Sequence, residues 1–323
     1  MLPPFLFPAS ALVCTDMASP PFSLMIHGGA GKQPDEATTS ASLLAVLSEV
    51  REMLDGGASA LDAVERAVAL LEDDPLYNAG RGSVLNEEGE VEMDASIMEG
   101  AELRAGAVAG VTLVKNPVRL ARLVMEKSEH VLLIGRGAEA FGKRTGAQFA
   151  PREYFILPHR EAQLKEAQKA DKIVLDHGDV LTERKFGTVG AVARDRAGTL
   201  AAATSTGGIV NKRFGRVGDT PLIGCGTYAD NETCAVSATG FGEQFIRTAM
   251  AKATSDLVAF QSLSAQAAAD EAVAYLVRKV KGLGGLIVVD ASGRLGAAHS
   301  TPGLVHGYLD ERGECVAAFG SAR

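Results

Sequence analysis

The sequence predicts an α+β fold, an antiparallel sheet system covered by helices, and three observations carry that prediction. Short apolar strand runs are joined by hairpin turns. Helical patterns come in pairs. No Gly-x-Gly-x-x-Gly links a strand to a helix ahead of a ribose-binding acid, which argues against a dinucleotide-binding unit. The hairpins are marked by an internal echo, because Asp195-Arg-Ala-Gly198 and Asp290-Ala-Ser-Gly293 each lie between two apolar runs. A length of 323 residues, with 46% hydrophobic and 22% charged residues, suits a globular chain with a large core. A formal net charge of -8 argues against a nucleic-acid or anionic-membrane partner. The four cysteines, Cys14, Cys225, Cys234 and Cys315, show neither metal spacing nor a disulfide framework, which fits a reducing, cytoplasmic setting.

Residues 1–20 are apolar and proline-rich without a Lys or Arg, too short in their apolar runs to span a bilayer and lacking a signal peptide's positive start. They read as a disordered or misassigned leader. Ser23-Leu-Met-Ile26 is then a short strand entering His27-Gly-Gly-Ala-Gly31, which is either a loop that turns its N–H groups towards a ligand or a plain strand-to-helix turn. A histidine closing a strand is expected to be a structural hydrogen-bonder. Helices follow from about Thr38 to Leu54, stopped by Asp55-Gly-Gly57, and from near Ser59 to Asp73, stopped by Pro75.

Asn78 centres a glycine loop. Val91, Met93, Ala95 and Ile97 alternate with Glu92, Asp94 and Ser96 as a half-buried strand would. Ala107 to Val114 reads as a strand, Asn116-Pro117 as a helix start, and His130 to Ile134 as a buried strand. From about Gly142 to Phe186 the pattern weakens into a solvated linker, with one helical patch near Glu161–Ala170. Strands are expected over Thr188–Asp195, Leu222–Tyr228 and Cys234–Thr239, and helices over Gly242–Phe260 and Ser264–Val280.

The chemistry is predicted where Gly187-Thr188 meets a strand after that linker. A threonine so placed can attack the preceding carbonyl, break the chain, and use the freed amine as the base for its own hydroxyl. Thr204-Ser-Thr206 closes the partner strand, where one hydroxyl can hydrogen-bond the nucleophile. Arg216 and Asp219 set a carboxylate-binding fork beside an acid that suits an ammonium, a pair fitted to the zwitterionic end of an amino acid. The alternative for that pair is a surface ion pair of little value. Ala238-Thr-Gly-Phe-Gly242 can supply a hydroxyl and an N–H to a developing oxyanion.

His27-Gly-Gly-Ala-Gly31, Tyr77-Asn-Ala-Gly80, Met93-Asp-Ala-Ser96, Gly187-Thr-Val-Gly190, Thr204-Ser-Thr-Gly-Gly208, Gly215-Arg-Val-Gly-Asp219, Ala238-Thr-Gly240 and Gly284-Gly-Leu-Ile287 occur in that order. Together they resemble the plant-type asparaginase and isoaspartyl aminopeptidase family of N-terminal-nucleophile hydrolases. The resemblance implies a four-layer αββα sandwich formed by a single domain over 21–323. It also implies autocatalytic cleavage into 1–187 and 188–323, and assembly as a dimer of cleaved heterodimers.

It implies Thr188 as nucleophile with Thr206 in support, Thr239 and Gly240 as the oxyanion hole, Arg216 on the substrate α-carboxylate and Asp219 on its ammonium. Gly242 and Asn78 would lie close by. No cofactor is implied beyond a structural sodium ion on the carbonyls of the Leu71–Arg81 loop. Phe241 stands where a small or hydroxyl residue is expected, at the pocket mouth. Glycosylasparaginases and a non-processing scaffold of the same fold are the alternatives. A phosphate or nucleotide binder is disfavoured, since no Gly-Lys-Ser/Thr element accompanies the glycine loops.

Overall fold

The computed structural model describes residues 21–31, 35–169 and 187–320. The expected leader, residues 1–20, and the last part of the expected linker, residues 170–186, lie outside them. The rest of that stretch is not a solvated linker, because helices over Arg152–Phe155 and Pro158–Lys169 bury Phe155 and Leu164 against the core. The chain opens with β1 (Ser23–Ala30), α1 (Glu36–Asp55), α2 (Ala60–Asp73), β2 (Met93–Glu99) and β3 (Ala105–Val111). Next come α3 (Pro117–Lys127), β4 (Leu132–Ile134), α4 (Gly135–Thr145), α5 (Arg152–Phe155) and α6 (Pro158–Lys169). Beyond the linker follow β5 (Val189–Arg194), β6 (Leu200–Thr206), β7 (Thr227–Ala229) and β8 (Cys234–Gly240). The chain ends in α7 (Gly242–Thr248), α8 (Met250–Gln261), α9 (Ala265–Val280), β9 (Gly284–Asp290), β10 (Leu295–His299), β11 (Leu304–Leu309) and β12 (Cys315–Ala318).

Local chemistry sets the helix starts and the turns. Asp35 caps α1 by accepting from the Thr38 N–H at 3.0 Å, and Ser59 caps α2 by accepting from the Asp62 N–H at 3.1 Å. Pro117 occupies the first turn of α3, where its missing N–H costs nothing. Both predicted hairpins form. In each, the aspartate at the turn accepts N–H bonds from residues two and four further on, Asp195 at 2.9 Å and Asp290 at 3.0 and 3.1 Å.

The fold is α+β. Among the described residues, the larger sheet runs β12-β11-β1-β5-β6-β2-β3-β4 and the smaller β10-β9-β8-β7. α1, α2 and α3 cover the outer face of the larger sheet, and α8 and α9 cover that of the smaller. The inner faces meet where β1, β5 and β6 pack on β8 and β9. One apolar cluster lies under α1–α3, a second around Met25, Val192, Leu200 and Ile287 between the sheets, and a third under α8 and α9.

Several expectations change in this context. β1 runs on through the glycines to Ala30, because β11 pairs with it as far as Ala30 while β5 pairs with it only to His27, with a register shift between His27 and Gly29 on the β11 side. The polar residues of β2 do not face water. Asp94 and Ser96 are fully buried, since the second sheet covers the face that the alternation assigned to solvent. His130–Ile134 gives only the short β4 at the sheet edge, where Val131 is 52% and Ile134 66% exposed, rather than a buried strand. The helix expected over Gly242–Phe260 breaks into α7 and α8 at Ala249, whose φ of 45° leaves the helical region. Leu222–Cys225 forms turns, so only Thr227–Ala229 of that run is strand.

Between the sheets, at the end of β5 that carries Thr188, the contact is polar. His27 Nε2 lies 2.9 Å from Ser237 Oγ, which lies 2.7 Å from Thr204 Oγ1. Thr227 Oγ1 donates to Thr204 Oγ1 at 2.6 Å, and Ser96 Oγ reaches both Thr227 Oγ1 and the Thr220 carbonyl, at 2.7 and 2.6 Å. Each of these side chains is fully buried, so the bonds replace water they have lost. Gly190 makes the close approach possible, because a Cβ there would lie 1.9 Å from Ser237 Oγ and 2.4 Å from His27 Nε2. Gly190→Ala should therefore lower the urea midpoint by the equivalent of about 1–3 kcal/mol, as overpacking typically does. A midpoint equal to that of the unmodified protein would show that the sheets can part freely at this point.

Candidate active site

Register builds the core of the site. Val189 pairs with Ser205 and Gly190 with Thr204, so the next step of the ladder brings Thr188 opposite Thr206. Strand alternation directs Thr188, Gly190 and Val192 to the second sheet and Val189 and Ala191 to the helices. Thr188 Oγ1 lies 3.1 Å from Thr206 Oγ1, which also accepts the Gly208 N–H at 3.0 Å. The neighbouring hydroxyls are used elsewhere. Thr204 joins the polar seam between the sheets, and Ser205 donates to Glu72 at 2.6 Å on the helix side.

Asn78 is bound at both ends of its side chain. Its Oδ1 accepts from Val84 N–H at 2.9 Å and its Nδ2 donates to the Gly208 carbonyl at 2.8 Å. What it turns to the Gly187-Thr188 junction is its backbone N–H, 3.0 Å from the Gly187 carbonyl oxygen. The cavity beside that junction is only about 10 Å³, and Asn78, Thr188, Thr206, Arg216, Asp219 and Gly240 are among its lining residues. That is room for about one water.

The charged anchors sit against glycines. A Cβ at Gly242 would lie 2.7 Å from Arg216 Nη2 and 3.0 Å from Asp219 Oδ1, so this position has no space for a side chain. Arg216 is not the surface residue of the alternative reading. Its side chain is 16% exposed, and its Nε and Nη2 donate to Glu243 at 2.9 and 3.0 Å. Asp219 is buried, and its Oδ2 has no hydrogen-bond partner. Burial pushes its carboxyl up to about 7, with Glu243 and Asp94 adding to the rise and Arg216 opposing it.

Behind them, the buried Lys212 donates to the Glu92 carbonyl at 2.6 Å and stabilises the Asp94 carboxylate by charge; burial lowers the lysine and raises the aspartate. Thr239 Oγ1, just before Gly240, is buried without a partner and free to donate.

His27 takes the structural place expected of it. Burial lowers its pKa to about 3, so the ring is neutral, and its Nδ1 lies towards the Thr188 backbone without a well-formed hydrogen bond. Phe241 departs from expectation. It packs against the apolar cluster between the sheets and is not among the residues lining the cavity. Sequence reasoning missed Glu243, Lys212, Asp94 and the Glu72–Ser205 bond. None carries a local signal, since each is an ordinary charged residue until the fold buries it. Glu72 is held protonated by burial, which pushes it up to about 8.

A hydroxyl pair, an unpartnered second hydroxyl, and a cation beside an acid together suit hydrolysis of an amide on a small zwitterionic molecule. The pattern of the family described as Asparaginase matches residues 20–317, and this chain belongs to that family. It is 46% identical over 294 residues to an isoaspartyl peptidase of Salmonella typhimurium, covering 88% of this chain and 94% of that protein. It is 45% identical over 284 residues to a Danio rerio isoaspartyl peptidase/L-asparaginase, with coverage of 86% and 89%. An isoaspartyl peptidase of Escherichia coli matches at 45% over 294 residues, with coverage of 88% and 92%.

Asp219 makes stability depend on pH. Its folded pKa, about 7, lies above the usual carboxylate value of 3.8, so between those values the folded state binds more protons than the unfolded one. The stability its protonated form contributes is complete below the unfolded pKa and is lost as pH rises through the folded one. In a Thr188→Ala background, Asp219→Asn should remove that loss. The variant should gain on its parent from pH 4 to pH 7, by up to about 1.4 kcal/mol per pH unit. Melting curves whose difference does not change with pH would show that Asp219 is not the buried acid described.

Proposed function

We propose that this chain is an isoaspartyl peptidase that also hydrolyses the side-chain amide of L-asparagine, activated by its own cleavage between Gly187 and Thr188. The observation that carries it is the Thr188–Thr206 hydroxyl pair, with Arg216 and Asp219 lining the same cavity. The names of the relatives give the reaction class. The two facing sheets with helices outside support the four-layer αββα sandwich of N-terminal-nucleophile hydrolases, as a single domain over 21–323. After cleavage it would comprise 1–187 and 188–323.

In the intact chain Thr188 Oγ attacks the Gly187 carbonyl carbon, and the Asn78 N–H at 3.0 Å stabilises the charge that develops on its oxygen. The C–N bond breaks, the hydroxyl proton passes to the leaving nitrogen, and an ester joins Gly187 to Thr188. Water then hydrolyses the ester, leaving a Gly187 carboxylate and a free Thr188 amine and hydroxyl. The vacated acyl site receives substrate.

The amine, with a reference pKa near ~7.7–8.0, is partly neutral at physiological pH and takes the hydroxyl proton. Thr188 attacks the β-carbonyl while the Thr239 hydroxyl and the Gly240 N–H hold the oxyanion. Each such donor is typically worth about 2.7–4 kcal/mol. The leaving amine is protonated, a β-aspartyl ester forms, and water releases aspartate. Arg216 holds the α-carboxylate and ionised Asp219 the α-ammonium, with Gly242 leaving them space.

The Leu71–Arg81 loop suits a sodium ion. A Cβ at Gly80 would lie 2.3 Å from the Glu72 carbonyl oxygen and one at Gly82 2.0 Å from that of Tyr77, so neutral oxygen donors crowd this turn. The carbonyls of Glu72, Pro75 and Tyr77 would hold the ion, which stiffens the loop carrying Asn78 and supplies no reaction chemistry. Among the described residues, no helix is long and apolar enough to cross a membrane, and no group of three His, Cys, Asp or Glu is placed to hold a metal. Cytoplasmic location and a dimer of cleaved heterodimers complete the reading.

Cleavage is tested by a denaturing gel. The purified protein should give two fragments, the smaller beginning Thr-Val-Gly-Ala-Val, and Thr188→Ala should remain one inactive chain. Any other fragment start removes the assignment of Thr188, and a single band in the unmodified protein favours the non-processing scaffold.

Substrate order is tested by steady-state kinetics at one pH. Both charged anchors grip the aspartyl end, so a bulky leaving group adds contacts that free asparagine lacks. kcat/KM should be higher for β-aspartyl-leucine than for asparagine. Asparagine ahead of the dipeptide would make this an asparaginase first, and glycosylated asparagine ahead of both would favour the glycosylasparaginase alternative.

A further inference from the structure

The cation of the cleft is held by an acid that lies outside its own motif. Arg216 and Asp219 share one short stretch, yet the guanidinium gives Nε–H and one Nη2–H to Glu243, in the first turn of α7. That is a two-point contact along one edge of a planar group. The opposite edge, Nη1 with the second Nη2–H, is left for another carboxylate. Nη1 lies against Gly218 and Nη2 against Gly242, where positions a Cβ would occupy are 2.9 and 2.7 Å away. Asp219 Oδ1 meets the same Gly242 position at 3.0 Å, while its Oδ2 has no partner. Cation and acid therefore converge on one glycine without the acid being satisfied.

Left alone, a half-buried guanidinium beside a buried carboxylate would close into a direct pair, because attraction between opposite charges strengthens as water is excluded. A closed pair would be a poor receptor, since substrate would have to break it before reaching either group. We propose that Glu243 is a positioning residue that ties back the Nε–Nη2 edge of Arg216, keeping Arg216 and Asp219 apart as separate anchors for the carboxylate and ammonium of one substrate. This rests on the aspartyl-substrate reading above. An ion pair serving only the surface would sit on exposed groups. Here the carboxylate is 43% exposed but the guanidinium only 16%, and that guanidinium lines the catalytic cavity.

The charged and titratable groups facing Asp219 are Arg216, Glu243, Asp94 and the Cys225 thiol, with Lys212 beyond Asp94 and, after cleavage, the Thr188 amine in the same cavity. Glu243→Gln changes one of them directly. It removes a negative charge that raises Asp219 and frees Arg216 to move closer, and both effects favour the ionised carboxylate. The test compares the unmodified protein, Glu243→Gln and Glu243→Asp, each confirmed as cleaved. It measures kinetics on β-aspartyl-leucine across pH and L-aspartate affinity by calorimetry.

Glu243→Gln should raise KM and the L-aspartate Kd together by about tenfold, the effect of one misaligned charge-assisted contact. kcat should change by less than about twofold, because the bond-breaking groups are untouched. The acid limb of kcat/KM, set by the Thr188 amine together with Asp219, should move to lower pH, because loss of the Glu243 charge lowers both. Glu243→Asp, which keeps the charge on a shorter arm, should fall between in KM with its acid limb nearer that of the unmodified protein. Unchanged KM and Kd would overturn the proposal, as would a raised KM with an unmoved acid limb, which is what mere loosening of α7 gives. If the unmodified protein fails to cleave β-aspartyl-leucine, the functional reading falls. The L-aspartate Kd values still decide the role of Glu243, equal values refuting it.

Discussion

The site depends on one constraint, the pairing of β5 on both edges, to β1 and to β6. A strand held on both sides cannot slide by one residue without turning all of its buried side chains to the wrong face. Register is therefore fixed, and with it the meeting of Thr188 and Thr206. The helices above and the second sheet below bury both faces of β5, so Thr188, at the head of that strand, has little freedom to move.

The second sheet contributes through chemistry as much as through packing. At the far end of β5 the sheets meet through Val192, Met25 and Ile287, an apolar contact that gains from excluding water. At the Thr188 end they meet through His27, Ser237, Thr204, Thr227 and Ser96. Hydroxyls bonded to one another accept only one geometry, so the polar seam sets the separation of the sheets more tightly than alkyl side chains would. The strand bearing Thr239 and Gly240 is thereby held at a defined distance from the strand bearing Thr188. A neutral His27 fits this role, since a charged ring buried in the seam would need a counter-ion.

Charge is handled by the same logic of burial. Asp94, Lys212, Arg216, Asp219 and Glu243 form a chain of alternating influence from the interior to the rim of the cleft. Burial of Glu243 acts against its ionisation, and the hydrogen bonds and charge of Arg216 outweigh it, holding it below the usual carboxylate range. Asp219, with no such bonds to its second oxygen, is raised instead. Two carboxyls flanking one guanidinium thus titrate apart, because Asp219 is the more deeply buried and Glu243 the one bonded to Arg216.

The sequence by itself determined the α+β class, both Asp-x-x-Gly hairpins, the starts of α1, α2 and α3, and the grouping of Thr188, Thr206, Arg216, Asp219 and Gly240 around one cavity. These were legible because turns, caps and short ordered motifs act through neighbours in the chain, or through a resemblance spread over most of it. Tertiary structure alone decided the rest. Period-two alternation in β2 shows which side chains share a face, but not that a second sheet covers the polar one. The run at His130–Ile134 is as apolar as a core strand, yet among the described residues no further strand pairs with it, so it lies at the sheet edge. Phe241 sits in the expected motif, but the gap between the sheets accepts its ring, so it does not line the cavity. Glu243 gained its place only when α7 brought it against a guanidinium twenty-seven residues earlier in the chain. Burial and long-range pairing are properties of the packed chain, and a carboxylate's partner is chosen by what folding places beside it.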